Sequence, residues 1–294
     1  MDTADLLAAI SDGGANGSSL AERFGVSRTM VWKRMQQLRA EGVVIEGAAG
    51  EGYTLVDPAG FGPWTLGWRC KRQIQFFEVC GSTNVEARKL AESSSSPEGL
   101  LVVANQQDAG RGRLGRAWNT EAGHNLLFSV VLKPQVVPQL APVCVLAWAA
   151  AMAEVLDCQV KWPNDLVTPE GHKIGGILAE LASEAEQVRF VVLGVGINVN
   201  QTSFPDLPQA TSLSILRGQP LDRAELLGRL VAAIESVPTQ GAPSLGLWRS
   251  RSHTLGRTVR VGDVEGLASD VRDDGALLVG GHAVLAGDVE MVAS

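Results

Sequence analysis

The spacing of apolar residues changes twice along the chain and divides it into three segments. Up to about residue 56, apolar residues recur at helical spacing between polar positions. From about 74 to 237, β-branched apolar runs alternate with longer helical segments, which indicates a mixed α and β domain. From Trp248 onward, short apolar runs separated by Gly-Asp and Asp-Gly turns predict a small β-barrel. The chain is therefore predicted to be an α+β protein with domains at residues 1–62, 66–243 and 246–294.

The first segment predicts three helices followed by a β-hairpin. Ser19–Glu22 matches the capping box that starts a helix, and Ser27 is placed to cap the next one. Runs at 43–45 and 53–55 flank a Gly-rich link and predict a hairpin. The apolar residues predicted to face the core are Leu6, Leu7, Ile10, Val31, Met35 and Leu38. This order of elements is that of a winged helix-turn-helix.

A helix-turn-helix places its last helix in the major groove of DNA. The predicted DNA contacts are Ser27, Arg28, Thr29, Lys33 and Arg34. Residues 1–65 nevertheless carry five Lys/Arg against eight Asp/Glu, a net charge of −3. A helical dimerisation or docking module is therefore the alternative interpretation of this segment.

The second segment predicts one sheet with helices packed on it. The predicted strands are 74–79, 100–104, 125–132, 159–167, 174–181 and 188–195. The predicted helices begin at a capping box, Thr83–Glu86, and span 141–156 and 221–237.

Composition narrows the class of protein. Of 294 residues, 45% are apolar and 19% charged, which is typical of a globular chain. The net charge of −7 gives no overall attraction to nucleic acid or anionic membranes. No apolar run reaches the roughly 18 residues of a membrane span, and no membrane partner is expected. The four cysteines lack Cys-x-x-Cys spacing and the four histidines are scattered, so we expect a reducing cytoplasm and no structural metal.

The segment Gly110–Arg116 carries the strongest chemical signal, with three arginines and three glycines in seven residues. Glycines let the backbone approach a ligand closely, and guanidinium groups bind carboxylate and phosphate oxygens. A solvated, RNA-binding Arg-Gly tract is the alternative. One such tract in an otherwise globular chain argues against that alternative.

Four further segments change the interpretation when they are taken with the first: Gly81–Asn84, Lys161–Asp165, Lys173–Leu178 and Gly194–Asn200. In this order, the five segments resemble the motif set of biotin protein ligases. The resemblance is close over residues 74–200. It implies a central domain related to class II aminoacyl-tRNA synthetases and an SH3-like C-terminal barrel. Together with the predicted winged helix-turn-helix, it further implies a biotin-responsive repressor.

The resemblance implies a two-step reaction without a protein nucleophile. Biotin and ATP would form biotinyl-5′-AMP, and a lysine of a biotin carboxyl carrier protein would then accept biotin. Magnesium would accompany ATP. Operator DNA and a ligand-linked homodimer are the other implied partners.

The residue roles implied by the resemblance fall into overlapping sets. Biotin would contact Ser82, Thr83, Asn84, Gln107, Arg111, Gly112, Arg113 and Lys173. The nucleotide would contact Arg113, Arg116, Trp118, Lys161, Asn164, Asp165 and Asn198. The catalytic residues would be Arg113, Lys173 and Asp165, with Asp165 also a candidate magnesium ligand.

Two other functions share some of these features. A lipoate ligase has the same superfamily fold, although the segments Gly110–Arg116 and Lys161–Asp165 favour biotin. A pure DNA-binding regulator would sense biotinyl-AMP without catalysis. That function would need a broken site, yet Arg113, Asp165 and Lys173 are all present.

Overall fold

The computed structural model describes residues 1–11, 14–47, 52–57, 60–70, 72–93, 97–184 and 186–292. The chain divides into two compact units, residues 1–71 and 72–294. Most of the predicted Gly-rich link of the hairpin, residues 48–51, lies outside the described residues.

The first unit contains the predicted helix-turn-helix. Its helices are α1 (Thr3–Ser11), α2 (Gly17–Phe24) and α3 (Arg28–Ala40), followed by the antiparallel strands β1 (Val44–Glu46) and β2 (Thr54–Asp57). The six apolar residues predicted to face the core are all buried. Ser27 caps α3 as predicted, because its hydroxyl accepts a hydrogen bond from the Met30 N–H.

One local prediction in this unit was wrong, and one helix was missed. The N-cap of α2 is Asn16, whose side chain accepts from the Ser18 and Ser19 N–H groups, so the predicted capping box lies inside the helix. Asn16 caps as well as serine does, and it starts the helix three residues earlier. A short helix, α4 (Pro63–Cys70), follows the hairpin and was not predicted.

The second unit is built on a seven-strand sheet among the described residues. Its order is β3-β4-β5-β9-β8-β7-β6, with only the β3–β4 pair parallel. The strands are β3 (Ile74–Cys80), β4 (Leu101–Gln107), β5 (Leu126–Leu132), β6 (Gln159–Lys161), β7 (Asp165–Val167), β8 (Lys173–Glu184) and β9 (Gln187–Ile197). The helices are α5 (Thr83–Ala91), α6 (Ala141–Leu156), α7 (Leu213–Arg217), α8 (Arg223–Ser236) and α9 (Gly246–Ser250).

The predicted strand 159–167 is in fact a hairpin. β6 and β7 pair antiparallel around Trp162, Pro163 and Asn164. Proline removes a ladder donor, so it stands at the turn rather than inside a strand. The hairpin places Asn164 and Asp165 at one end of the sheet.

Helix α6 has the predicted bounds and forms the core beside the sheet. The segment Pro138–Leu156 is long and apolar enough to cross a membrane, and 67% of it is buried inside the unit. Its hydrophobicity is therefore that of a core helix packed on α8 and α9.

The C-terminal part of the described chain forms a five-strand antiparallel sheet of order β13-β12-β11-β10-β14. The strands are β10 (Thr258–Val261), β11 (Val264–Val271), β12 (Leu277–Val279), β13 (His282–Val284) and β14 (Glu290–Met291). Strand β13 was not predicted, and closure of this sheet into an SH3-like barrel stays a prediction.

Buried His253 joins this C-terminal segment to β6. Its N–H donates to the Val160 carbonyl at 2.9 Å, and its Nδ1 lies 2.9 Å from Gln159 Oε1. Burial lowers the pKa of His253 to about 4, and the charges of Arg257 and Lys161 act in the same direction.

The depressed pKa of His253 predicts a loss of stability in mild acid. In the unfolded chain His253 binds a proton near pH 6.5, whereas in the folded protein it stays neutral down to about pH 4. Its contribution to the free energy of unfolding is therefore complete above pH 6.5 and disappears as the pH falls toward 4. The full effect is on the order of 3 kcal/mol. Urea unfolding at pH 7 and pH 5 should show a smaller pH-dependent loss in His253→Gln than in wild type. His282→Gln, a change at an exposed histidine, serves as control. An equal loss of unfolding free energy between pH 7 and pH 5 in all three proteins would contradict the prediction.

Candidate active site

One pocket of about 480 Å³ lies over β8 and β9 in the second unit. The N-terminus of α5, the loop after β4, the β6–β7 turn and the segment before β14 surround it. The predicted ligand-binding residues that line it are Ser82, Thr83, Asn84, Gln107, Arg111, Gly112, Arg113, Arg116, Trp118, Lys161, Asn164, Asp165 and Lys173. The structure therefore brings together residues spread over about ninety positions of the chain.

Asn198 is the predicted nucleotide contact that does not line this pocket. Its Nδ2 donates to the Thr211 carbonyl at 3.1 Å, and its backbone N–H donates to the Ile174 carbonyl at 2.8 Å. The side chain is buried, and these bonds connect the end of β9 to the segment before α7. The predicted contact of Asn198 with the nucleotide stays a prediction.

One end of the pocket is a network of uncharged polar groups at the start of α5. Gln107 Oε1 accepts from the Thr83 N–H at 2.7 Å and lies 3.0 Å from Thr83 Oγ1. This contact replaces the predicted capping box, and Ser82 occupies the N-cap without a side-chain cap bond. Gln107 lies 24 residues beyond Thr83, so local sequence alone could not indicate the pairing.

Asn84 belongs to the same network, and its side-chain amide is hydrogen-bonded to other residues of the protein. Its Nδ2 donates to the Leu178 carbonyl and to Glu180 Oε2, each at 3.1 Å, and its Oδ1 lies 2.7 Å from Ser129 Oγ. Both amide hydrogens are thus used. The Asn84 side-chain amide therefore has no hydrogen left for a ligand in this arrangement, and its predicted contact with biotin stays a prediction.

The opposite end of the pocket is cationic. Its basic side chains are Arg111, Arg113, Arg116, Lys161 and Lys173. Arg113 Nη1 donates to Asn164 Oδ1 at 3.1 Å, which joins the loop after β4 to the β6–β7 turn. Lys173 Nζ lies 2.7 Å from Asp165 Oδ1 and 5.5 Å from the centre of the Trp118 ring. Asp165 and Trp118 therefore fix the position of the lysine ammonium group.

Asp288 completes the cationic end and was missed in the sequence. Its carboxylate pairs with Arg116 and lies 3.6 Å from Arg113 Nη1. Arg113 also donates to the Gly287 carbonyl at 3.3 Å. In the sequence, Asp288 is an ordinary turn residue more than 170 positions from both arginines, and no motif marks it.

The donor set does not fit a magnesium ion held by the protein alone. Among the described residues, no group of three His, Cys, Asp or Glu side chains could hold a metal ion. The carboxylate predicted as a ligand, Asp165, is paired with Lys173.

Trp118 packs on a part of the sheet where glycines leave the surface without side chains. A Cβ at Gly196 would lie 2.5 Å from Trp118 Cε2, so the ring needs glycine at that position. The indole Nε1 is buried and has no hydrogen-bond partner among the described residues. The ring thereby forms one wall of the pocket beside Lys173.

Comparison with known proteins agrees with this geometry. Residues 76–198 match the biotin/lipoate A/B protein ligase family, and residues 5–54 match a helix-turn-helix domain. The bifunctional ligase/repressor BirA of Bacillus spizizenii is 33% identical over 98% of both chains. The chain belongs to the biotin/lipoate A/B protein ligase family.

Two further proteins are each similar to about three quarters of the chain. The biotin–[acetyl-CoA-carboxylase] ligase of Mycobacterium tuberculosis is 38% identical over 76% of this chain and 89% of its own length. The biotin protein ligase of Aquifex aeolicus, solved in complex with biotin and ATP, superposes with a TM-score of 0.58 at 26% identity. It covers 76% of this chain and 100% of its own. The fold of the second unit is thus that of biotin protein ligases.

Proposed function

We propose that this protein is an ATP-dependent ligase that joins biotin to a lysine of an acceptor protein. The observation that carries the proposal is the division of one pocket into an uncharged hydrogen-bonding end and a cationic end. A ligand with a polar, neutral head and an anionic tail fits such a pocket. Biotin, with its ureido ring and its carboxylate, is a ligand of this kind.

In the first step, the biotin carboxylate oxygen attacks the α-phosphorus of ATP, and pyrophosphate leaves. Both reactants are anions, so the barrier falls when cationic groups hold them together and stabilise the charge that develops at phosphorus. We assign this role to Arg113 and Lys173, which line the cationic end of the pocket. Asp165 acts as a positioning residue through its ion pair with Lys173.

In the second step, a neutral lysine amine of the acceptor attacks the carbonyl carbon of biotinyl-5′-AMP. An amide bond forms, the mixed anhydride bond breaks, and AMP leaves with its electron pair while the amine loses a proton. The relatives named for acetyl-CoA carboxylase support a biotin carboxyl carrier protein as the acceptor. Magnesium would enter with the phosphates of ATP, since this cation keeps water and phosphate oxygens as most of its ligands.

Lipoate is the alternative substrate within the same family. Lipoate has a carboxylate but no ureido group, so the polar network at Thr83 and Gln107 would have no matching partner. Competition between the two acids for adenylation separates these substrates.

Lys173→Ala should reduce formation of biotinyl-5′-AMP roughly 10²–10³-fold, because one preorganised charge stabiliser is typically worth this much. A single-turnover assay with ATP, magnesium and biotin, read by mass spectrometry, measures the rate. Lys89→Ala is the matched control, since Lys89 is exposed and pairs with Glu86 on α5. Wild-type rates in Lys173→Ala would remove the lysine from the mechanism. Failure of the wild-type protein to form the adenylate would overturn the ligase proposal.

We further propose that the first unit binds operator DNA when biotinyl-5′-AMP is present. The relatives named as bifunctional ligase/repressors support this role, and so does the matched helix-turn-helix domain. A single unit whose net charge is negative offers few phosphate contacts. A dimer that forms when the ligand binds would double these phosphate contacts and place one recognition helix at each of two half-sites.

The structure changes the set of residues proposed to contact DNA. Arg34, a predicted contact, is half-buried, with hydrogen bonding to the Thr3 hydroxyl and an ion pair with Glu41 at 4.0 Å. The exposed side chains of α3 and its N-cap include the other four predicted contacts, together with Met30, Trp32, Gln36 and Gln37. Trp32, at 46% exposed, was not predicted and directly precedes Lys33 on α3.

Lys33→Ala should weaken DNA binding by a similar factor for every DNA sequence. The slope of log affinity against log salt concentration should fall by the amount expected for about one phosphate contact. Arg34→Ala is the matched control on α3 and should leave the salt slope unchanged, because that side chain is engaged within the protein. Binding curves at several salt concentrations with biotinyl-5′-AMP measure both slopes. The assignment of Lys33 as a phosphate contact would be contradicted by an unchanged salt slope in Lys33→Ala. A reduced salt slope in Arg34→Ala would contradict the engagement of that side chain within the protein.

A further inference from the structure

The segment before β10 runs beside β6, and the last contact between them is made by a side chain. The two segments pair in parallel. The Val160 N–H donates to the Arg251 carbonyl at 2.8 Å, and the His253 N–H donates to the Val160 carbonyl at 2.9 Å. In a regular ladder, the Trp162 N–H would come next and would also meet a carbonyl. It donates instead to the hydroxyl of Thr254 at 2.9 Å, so this contact with the β6–β7 turn depends on one side chain.

The side chain of Trp162 makes a second contact with the C-terminal sheet. Its indole Nε1 donates to the Gly275 carbonyl at 3.2 Å, in the turn between β11 and β12. Trp162, Thr254 and Gly275 are all buried, so water cannot replace either partner. The β6–β7 turn is therefore anchored at Trp162 through both its backbone and its ring.

The same turn carries the partners of the cationic groups in the pocket. Asn164 Oδ1 accepts from Arg113, and Asp165 pairs with Lys173. Asn164 and Asp165 follow Trp162 by two and three residues. A shift of the turn would thus move the partners of both groups to which the first step of the reaction is assigned.

The uncharged end of the pocket is held by other elements. The side chain of Thr83 on α5 contacts Gln107 on β4 and Ser129 on β5. These contacts involve neither the β6–β7 turn nor the segment that carries Thr254. A change at Thr254 should therefore disturb one end of the pocket and leave the other in place.

We infer that Thr254 and Trp162 are positioning residues for the cationic end of the pocket. They hold the β6–β7 turn, and the turn places Arg113 and Lys173 against the phosphates of ATP. A misplacement of about 1 Å, caused by a change far from the chemistry, can cost about 10²-fold in rate. The inference rests on the proposed function, since it assigns ATP to this end of the pocket.

Thr254→Val tests the inference, because it replaces the hydroxyl with a methyl group of similar size and leaves the buried Trp162 N–H without an acceptor. The kcat/KM for ATP in adenylate formation should fall roughly 10–10²-fold. The Kd for biotin, measured by calorimetry without ATP, should not change. Thr254→Ser keeps the hydroxyl and should restore kcat/KM. The matched control is Thr258→Val, the same change at an exposed threonine of β10, which should behave as wild type.

A double-mutant cycle shows whether Thr254 acts through the turn. In Asn164→Ala, Arg113 is already released from the turn, so Thr254→Val should cost less kcat/KM for ATP than it does in the wild-type background. An equal further loss would mean independent action and would overturn the inference.

Three other outcomes would also overturn the inference: an unchanged kcat/KM for ATP in Thr254→Val, parallel losses for ATP and biotin, or no recovery in Thr254→Ser. If Thr254→Val does not fold, Trp162→Phe is judged by the same separation of ATP from biotin, because it removes only the indole donor to Gly275 and keeps an aromatic ring. Failure of the wild-type protein to form the adenylate would instead overturn the proposed function.

Discussion

The concentration of positive charge at one end of the pocket is the constraint on which the site depends. Guanidinium and ammonium groups placed close enough to bind two anionic substrates repel one another when no substrate is there. Two carboxylates offset this repulsion. Asp165 pairs with Lys173, and Asp288 pairs with Arg113 and Arg116. The β6–β7 turn and the C-terminal sheet each bring one of these carboxylates to the pocket.

The two ends of the pocket are held in different ways. At the uncharged end, Asn84 and Ser129 are buried and bonded within the protein, so the arrangement is complete without a ligand. At the cationic end, Arg116 is largely exposed and its partner Asp288 is an anion that substrate phosphates can replace. A rigid end that recognises the neutral head and an exchangeable end that binds charge suit a reaction in which biotin must remain while pyrophosphate leaves.

Features encoded locally could be predicted from the sequence. The bounds of α6 follow from its apolar run, and the cap at Ser27 depends on a bond only three residues away. Features that depend on distant partners could not. Thr83 looks like part of a capping box until Gln107 is beside it, and Asp288 has no motif of its own. Within the central motifs, the sequence predicted which residues meet but not which ones, such as Asn84, are engaged by the protein itself.

The claim that Asp288 holds the basic loop in the absence of substrate is tested most directly by hydrogen exchange of residues 110–117. Asp288→Asn should exchange faster there than wild type when the protein is empty, because Arg113 and Arg116 lose their anion. With biotinyl-5′-AMP bound, the two proteins should be equally and strongly protected. Asp263→Asn, an exposed change in the same C-terminal sheet region, is the control. Identical exchange in the empty wild-type and Asp288→Asn proteins would contradict the claim.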